Sequence, residues 1–252
     1  MARPAIRRRH VLLIVGAIAL AAAGYAGFVN DGPVVKAGDR PIGLFTSLPI
    51  LWAEQDGVAG MLADSAPPHW VRTVLEQRGP VVALDTLNDP ALSRAGTDRL
   101  VMAQPRALSP DENVALDGWV RAGGRVLIFA DPMLTQDSAF ALGDRRRPQD
   151  VVLLSPILAR WGLQLRFDDM QQHGERESAG EGVPVNLPGT LSFLAGGHDA
   201  RCRMGPEALV ARCAIGKGYA MIVADAALLE QAGDADSRRP RLDALLDQAF
   251  PG

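Results

Sequence analysis

Lysine is nearly missing from this 252-residue chain: Lys36 and Lys217 are the only two among 26 basic residues. So arginine-rich a composition is a chain-wide bias, and a cluster such as Arg145-Arg146-Arg147 reads as solvated surface rather than as a site for acidic partners or lipid headgroups. Acidic residues are missing before Asp31, where Arg3, Arg7, Arg8 and Arg9 are the only charged side chains. Removing those four from 26 leaves 22 basic against 29 acidic residues, a net of −7, which argues against nucleic acid as a partner. Histidine is scarce (His10, His69, His173, His198), and Cys202 and Cys213 are the only cysteines. So thin a supply of soft ligands predicts neither a metal nor a cofactor. No internal repeat is visible, which excludes solenoid and propeller architectures.

What is present is organised around residues 99–132, RLVMAQPRALSPDENVALDGWVRAGGRVLIFADP. Residues 100–103 and 126–130 are apolar runs without polar alternation, as in parallel strands covered on both faces. Between them Ser109 stands as N-cap, Pro110 at the first helical position and Glu112 three residues after the cap, completing a capping box. Leu116, Trp119 and Val120 then share a helical face, and Gly123-Gly124 supplies the left-handed stop. Strand, helix, strand is the crossover that joins parallel neighbours.

The N-terminal part divides into a basic segment at 1–10, an uncharged apolar run at 11–29 and a polar linker at 30–40. About 19 apolar residues are near the length of a bilayer span. Positive charge before the run and acidic chain after it predict a transmembrane helix with its N-terminus in the cytoplasm and residues 41–252 exported. A cleaved signal sequence is the alternative, with Ala21-Ala22-Ala23 as a small-residue site and Arg8-Arg9 loosely echoing a twin-arginine signal. Either way the domain leaves the cytoplasm.

Along that domain, residues 41–47 and 81–84 read as strands and 67–77 as a helix with Val71, Val74 and Leu75 inward. Residues 88–98 read as polar connection, and 133–149 as a long excursion. A helix is expected over 151–161 and a strand over 163–167, while 183–194 has no clear pattern. Residues 201–204 and 209–215 suggest an antiparallel pair, followed by the Gly216-Lys217-Gly218 turn, an apolar strand at 219–224 and a terminal helix at 240–250.

Residues 109–132 (SPDENVALDGWVRAGGRVLIFADP), with Leu100 to Ala103 and Pro105 before them, resemble the gliding-motility type of auxiliary domain found in uncharacterised ABC-type transport systems. Ser155 to Leu163 resembles that family's last helix and Trp-Gly element, and Gly216-Lys217-Gly218 with Val223-Ala224-Asp225 resembles its turn and following strand. The resemblance implies a flavodoxin-like, class I glutamine amidotransferase-like α/β fold, with a mainly parallel sheet, helices on both faces and an antiparallel hairpin. It also implies ABC permease or ATPase subunits as partners at the inner membrane, with the domain in the periplasm. The chain departs from the family in lacking a C-terminal transmembrane helix.

An amidotransferase-like fold raises the question of a nucleophile. The strand ends carry Thr46-Ser47, Gln104-Pro105, Asp131-Pro132 and Asp225-Ala226, none within Gly-x-Cys-x-Gly or Gly-x-Ser-x-Gly, so no catalytic residue is assigned. Thr46, Ser47, Asp131 and Asp225 are candidate ligand-binding residues, because open α/β sheets place ligands at these ends. The bland reading of the two aspartates is that each caps a helix or ties a turn. Cys202 and Cys213 fall on the two arms of the expected antiparallel pair, as a candidate disulfide in an exported domain. Trp52, Trp70, Trp119 and Trp161 read as core contacts. The function expected is a non-catalytic accessory or ligand-sensing domain. An exported hydrolase using Ser47, Asp131 and Asp225, or a signal-cleaved soluble binding protein, are the alternatives.

Overall fold

A computed structural model of the chain describes residues 40–52, 54, 68–231 and 233–251. The apolar run at 11–29 and the segments beside it lie outside those residues. Among the described residues no helix is long and apolar enough to cross a membrane.

The apolar runs form the centre of one sheet. β1 (Ile42–Thr46), β2 (Val81–Ala83), β3 (Arg99–Ala103), β4 (Arg125–Phe129), β9 (Ala200–Met204), β10 (Val210–Ile215) and β11 (Gly218–Val223) lie in the order β2-β1-β3-β4-β11-β10-β9. The pairs joining β2, β1, β3, β4 and β11 are parallel, and β10 and β9 continue antiparallel. β3 is buried along its whole length and β4 from its second residue on, the reason neither run alternates. Two short antiparallel pairs stand apart from this sheet: β5 (Leu163–Arg166) with β8 (Thr190–Phe193), and β6 (Arg176–Glu177) with β7 (Pro184–Val185).

The helices are α1 (Trp70–Arg78), α2 (Asp89–Ala95), α3 (Pro110–Ala122), α4 (Ser155–Arg160) and α5 (Ala235–Ala249). β1 to β2 steps one way along the sheet, while β2 to β3 and β3 to β4 step the other way. Right-handed crossovers therefore put α1 on one face and α2 and α3 on the opposite one. The contacts divide the helices likewise, α1 against α5 and α3 against both α2 and α4. Asp117 of α3 fastens α4: its buried carboxylate accepts Arg160 Nε–H at 2.6 Å and Trp161 Nε1–H at 3.0 Å, and Arg121 Nε–H at 2.9 Å from its own helix.

Three elements depart from the sequence reading. Residues 88–98 contain a helix, α2, started by Asn88 Oδ1 accepting Ala91 N–H and closed by Gly96 at φ 59°. The helix expected over 151–161 is confined to Ser155–Arg160, because Pro156 has no N–H to give and is tolerated only in a first turn. α5 begins five residues before Pro240 and carries it inside, with Asp234 as N-cap.

Cys202 and Cys213 are directly opposed across β9 and β10 and joined as a disulfide. Gly216 and Lys217 form a two-residue hairpin turn between β10 and β11, closed by the pairing of Ile215 with Gly218. A Cβ on Gly218 would collide with the Val120 carbonyl oxygen, so glycine is needed where β11 passes the end of α3.

Candidate functional site

The parallel strands all end along one edge. β1 has β2 on one side and β3 on the other, so the winding reverses there, where open α/β sheets form a ligand crevice. In this chain the crevice is stitched closed. Thr46 Oγ1 donates to the Ala103 carbonyl at 2.8 Å and accepts Leu48 N–H at 2.9 Å. Ser47 Oγ donates to the Gln104 carbonyl and accepts Gln149 N–H at 3.0 Å. Both partners of the Ser47 hydroxyl are backbone groups, so neither His173 nor His198 activates it.

Gln104, directly after β3, is fully buried and takes φ 44°, in the left-handed region. A strained residue directly after a central strand is one feature of a nucleophile elbow, but here residues 105–109 separate it from α3, so the sharp strand-to-helix turn is not formed. Here its side chain is an amide consumed internally: Nε2 donates to the carbonyls of Asp131 (3.0 Å) and Gln149 (2.7 Å), and Oε1 accepts Asp131 N–H at 2.9 Å.

The register of β4 with β11 brings Asp225 beside Asp131 just past the strand ends. Both carboxyls are buried. Asp131 accepts Met133 N–H at 2.8 Å and Ala226 N–H at 3.1 Å, and Asp225 accepts Ala227 N–H at 2.6 Å and Asn186 N–H at 3.0 Å. Burial pushes the Asp131 carboxyl up to about 7 against the pull of its two backbone donors. Burial, and then the charge of Asp131, push Asp225 well above the usual carboxylate range. Glu230, also buried, is raised by burial and accepts the Thr135 hydroxyl at 2.8 Å. Asp131 and Asp225 thus tie down the turns after β4 and β11 through backbone donors. Among the described residues no group of three or more histidines, cysteines or acids is disposed to hold a metal ion.

The open concavity at this edge lies to one side of the switch point. It is a cleft of about 470 Å³ whose walls include Trp52, Glu54, His69, Arg72 and Gln136. Trp52, counted with the core residues by sequence, is 45% exposed, whereas Trp161 and Trp70 are buried. Its neighbours Leu48 and Ile50 take the inward positions instead. His69 caps α1: its Nδ1 accepts Val71 N–H at 3.2 Å, and burial lowers its pKa to about 4. Its Nε2 and the Oε1 of Gln136 are shielded from water and have no hydrogen-bond partner among the described residues. Sequence reasoning did not single out His69 or Gln136 as site residues. The capping position after Pro67-Pro68 was a visible signal for the first, and nothing local marked the second.

Arg146 and Arg147 pair with Asp144 (2.7 Å) and Asp150 (3.2 Å) within their own loop, as solvated surface does.

A family model described as an ABC-type uncharacterized transport system matches residues 42–174, more than half of the chain, which therefore belongs to that family. No curated protein matches it. Among solved structures the chain is similar to an exo-β-1,4-mannosidase from an Opitutaceae bacterium, at 13% identity and TM-score 0.45 over 84% of this chain and 36% of that one. It is similar to a β-galactosidase from Bacillus circulans at 10% identity and TM-score 0.42, over 86% of this chain and 32% of the other. A cytoplasmic protein from Salmonella typhimurium aligns at 10% identity and TM-score 0.42, over 81% of this chain and 93% of its own. The chain spans about a third of the length of the two glycosidases. Likenesses this distant carry no functional inference.

Proposed function

We propose that this member of the ABC-type uncharacterized transport system family is a ligand-sensing accessory subunit of such a system, with no chemistry of its own. The observation that carries this reading is Gln104: the strained residue at the end of central strand β3 has its amide already committed to Asp131 and Gln149. Ser47, the sequence's best alternative nucleophile, is likewise committed to backbone partners. The hydrolase reading would need both sets of contacts broken before any substrate could be attacked.

In this account residues 11–29 hold the chain in the inner membrane, residues 1–10 stay in the cytoplasm, and the α/β domain faces the periplasm. A disulfide between Cys202 and Cys213 suits that oxidising compartment. Thr46, Ser47, Asp131 and Asp225 shape the ligand-bearing edge from behind, and the cleft beside them receives the ligand. Fractionating cells that express the full chain, then measuring its intact mass, tests the anchoring. Full-length mass in the membrane fraction is the expected result. A soluble species lacking about two dozen N-terminal residues would replace this reading with a signal-cleaved binding protein.

A further inference from the structure

The cleft at the strand edge has two buried polar atoms with nothing to bond among the described residues. His69 Nδ1 accepts a backbone N–H, so the ring is neutral and its proton sits on Nε2, a donor without a partner. Gln136 Oε1 is an acceptor without a partner. A shielded donor or acceptor left unpaired costs about 1–3 kcal/mol. Both residues line the same cleft although they lie on segments far apart in sequence, one before α1 and one after β4.

Two of the charged side chains on the same walls are already engaged. Glu54 accepts the Ser138 hydroxyl at 3.0 Å and Ala139 N–H at 2.8 Å, and Arg72 pairs with Glu76 at 2.7 Å. What remains available among the described residues is one donor, one acceptor, the exposed Asp137 carboxylate, which also accepts from hydroxyls, and the exposed indole of Trp52. A hydroxyl group both accepts and donates, so a ligand carrying several hydroxyls can satisfy His69 Nε2–H and Gln136 Oε1 alike. An anion satisfies the first and not the second, and an ammonium the reverse. An aromatic face beside convergent polar groups, in a volume within the roughly 300–1,000 Å³ of small-molecule sites, completes the pattern.

We propose that this cleft binds an uncharged polyhydroxylated ligand of the sugar class, with its hydroxyls meeting His69 and Gln136 and the ring against Trp52. Gln136 is only half-buried, and rotation of its side chain admits the ligand. The inference deepens the ligand-sensing reading and rests on it for biological meaning, while the binding itself is measured separately.

The test is tryptophan fluorescence of the purified full chain, in a detergent without a sugar headgroup. The chain is titrated with glucose, galactose, mannose, N-acetylglucosamine and trehalose, with inorganic phosphate and putrescine as charged comparators. The proposal expects a saturable response to at least one neutral sugar and none to the comparators. Gln136→Leu, which keeps shape and removes the acceptor, should weaken that response about tenfold, the effect of one well-placed hydrogen bond. His69→Phe should do the same, but His69 also caps α1, so the Gln136 variant is the decisive one. Absence of a saturable response to every sugar would overturn the proposal, as would a Gln136→Leu titration superimposable on the parent. Sugar binding by a chain that recovers no transporter subunits would leave the site standing and remove the accessory role.

Discussion

Among the buried groups that make this domain respond to pH, Asp131 and Glu112 act with opposite signs. Asp131 has a folded pKa of about 7 against 3.8 for a free carboxyl. A raised carboxyl contributes stability that is complete below the unfolded value and is lost as pH rises through the folded one. Asp131→Asn, which cannot ionise, should therefore lose stability to the parent near pH 4 and recover relative to it above pH 7, read as the melting-temperature difference between the two. Glu112, the second acid, runs the other way. The Arg106 guanidinium and backbone donors of Ser109 and Leu87 hold its carboxyl well below the usual range, so its contribution is present at neutral pH and lost on acidification. His69 shares that sign. Its pKa falls from 6.5 to about 4, so its contribution is complete above 6.5 and lost below; the variant-to-parent difference removes it and reports Asp131 together with Asp225, which the Asp131 charge raises. Read from sequence as half of a capping box, Glu112 also accepts the Thr86 hydroxyl at 2.8 Å and Leu87 N–H at 3.0 Å, binding the chain after β2 to the start of α3. Glu112→Gln should cost roughly 2–3 kcal/mol in urea unfolding at neutral pH, shrinking as pH falls below about 4.

The elements that could be read from the sequence are those whose instructions are local. Ser109 accepts Glu112 N–H at 3.2 Å, Glu112 returns to Ser109 N–H at 2.8 Å, and Gly123 closes α3 in the expected place. Ser109→Ala should cost about 1 kcal/mol, measurable by the same unfolding experiment. α2 was missed although Asn88 and Gly96 mark its ends, because seven residues with only Ala91, Leu92 and Ala95 buried give too short an apolar stripe to outweigh a polar composition. β5 was found as a strand, but its pairing with β8 away from the main sheet depends on residues nearly thirty positions later, which no local pattern reports. The candidate site divides in the same way. Asp131 and Asp225 could be placed at strand ends of one sheet from their apolar runs, while the adjacency of β4 and β11 is tertiary. That His69 and Gln136 line one cleft is tertiary, and no local pattern reports it. The β9–β10 disulfide is a further tie, and Cys202→Ser with Cys213→Ser together should cost roughly 2–3 kcal/mol, with the parent losing as much on reduction.

At the scale of the whole molecule, a doubly wound sheet that could have carried a catalytic centre has its switch point closed by Ser47, Gln104 and Gln149, and its open cleft beside it. The proposed sensing role in a transport family requires the transporter within reach. The most direct test is affinity purification of the full chain from detergent-solubilised membranes, with the co-purifying proteins identified by mass spectrometry. An accessory subunit should bring with it an ATPase and a permease of one transport system in comparable amounts. Recovery of the intact chain alone, under conditions that keep other membrane complexes together, would contradict that role.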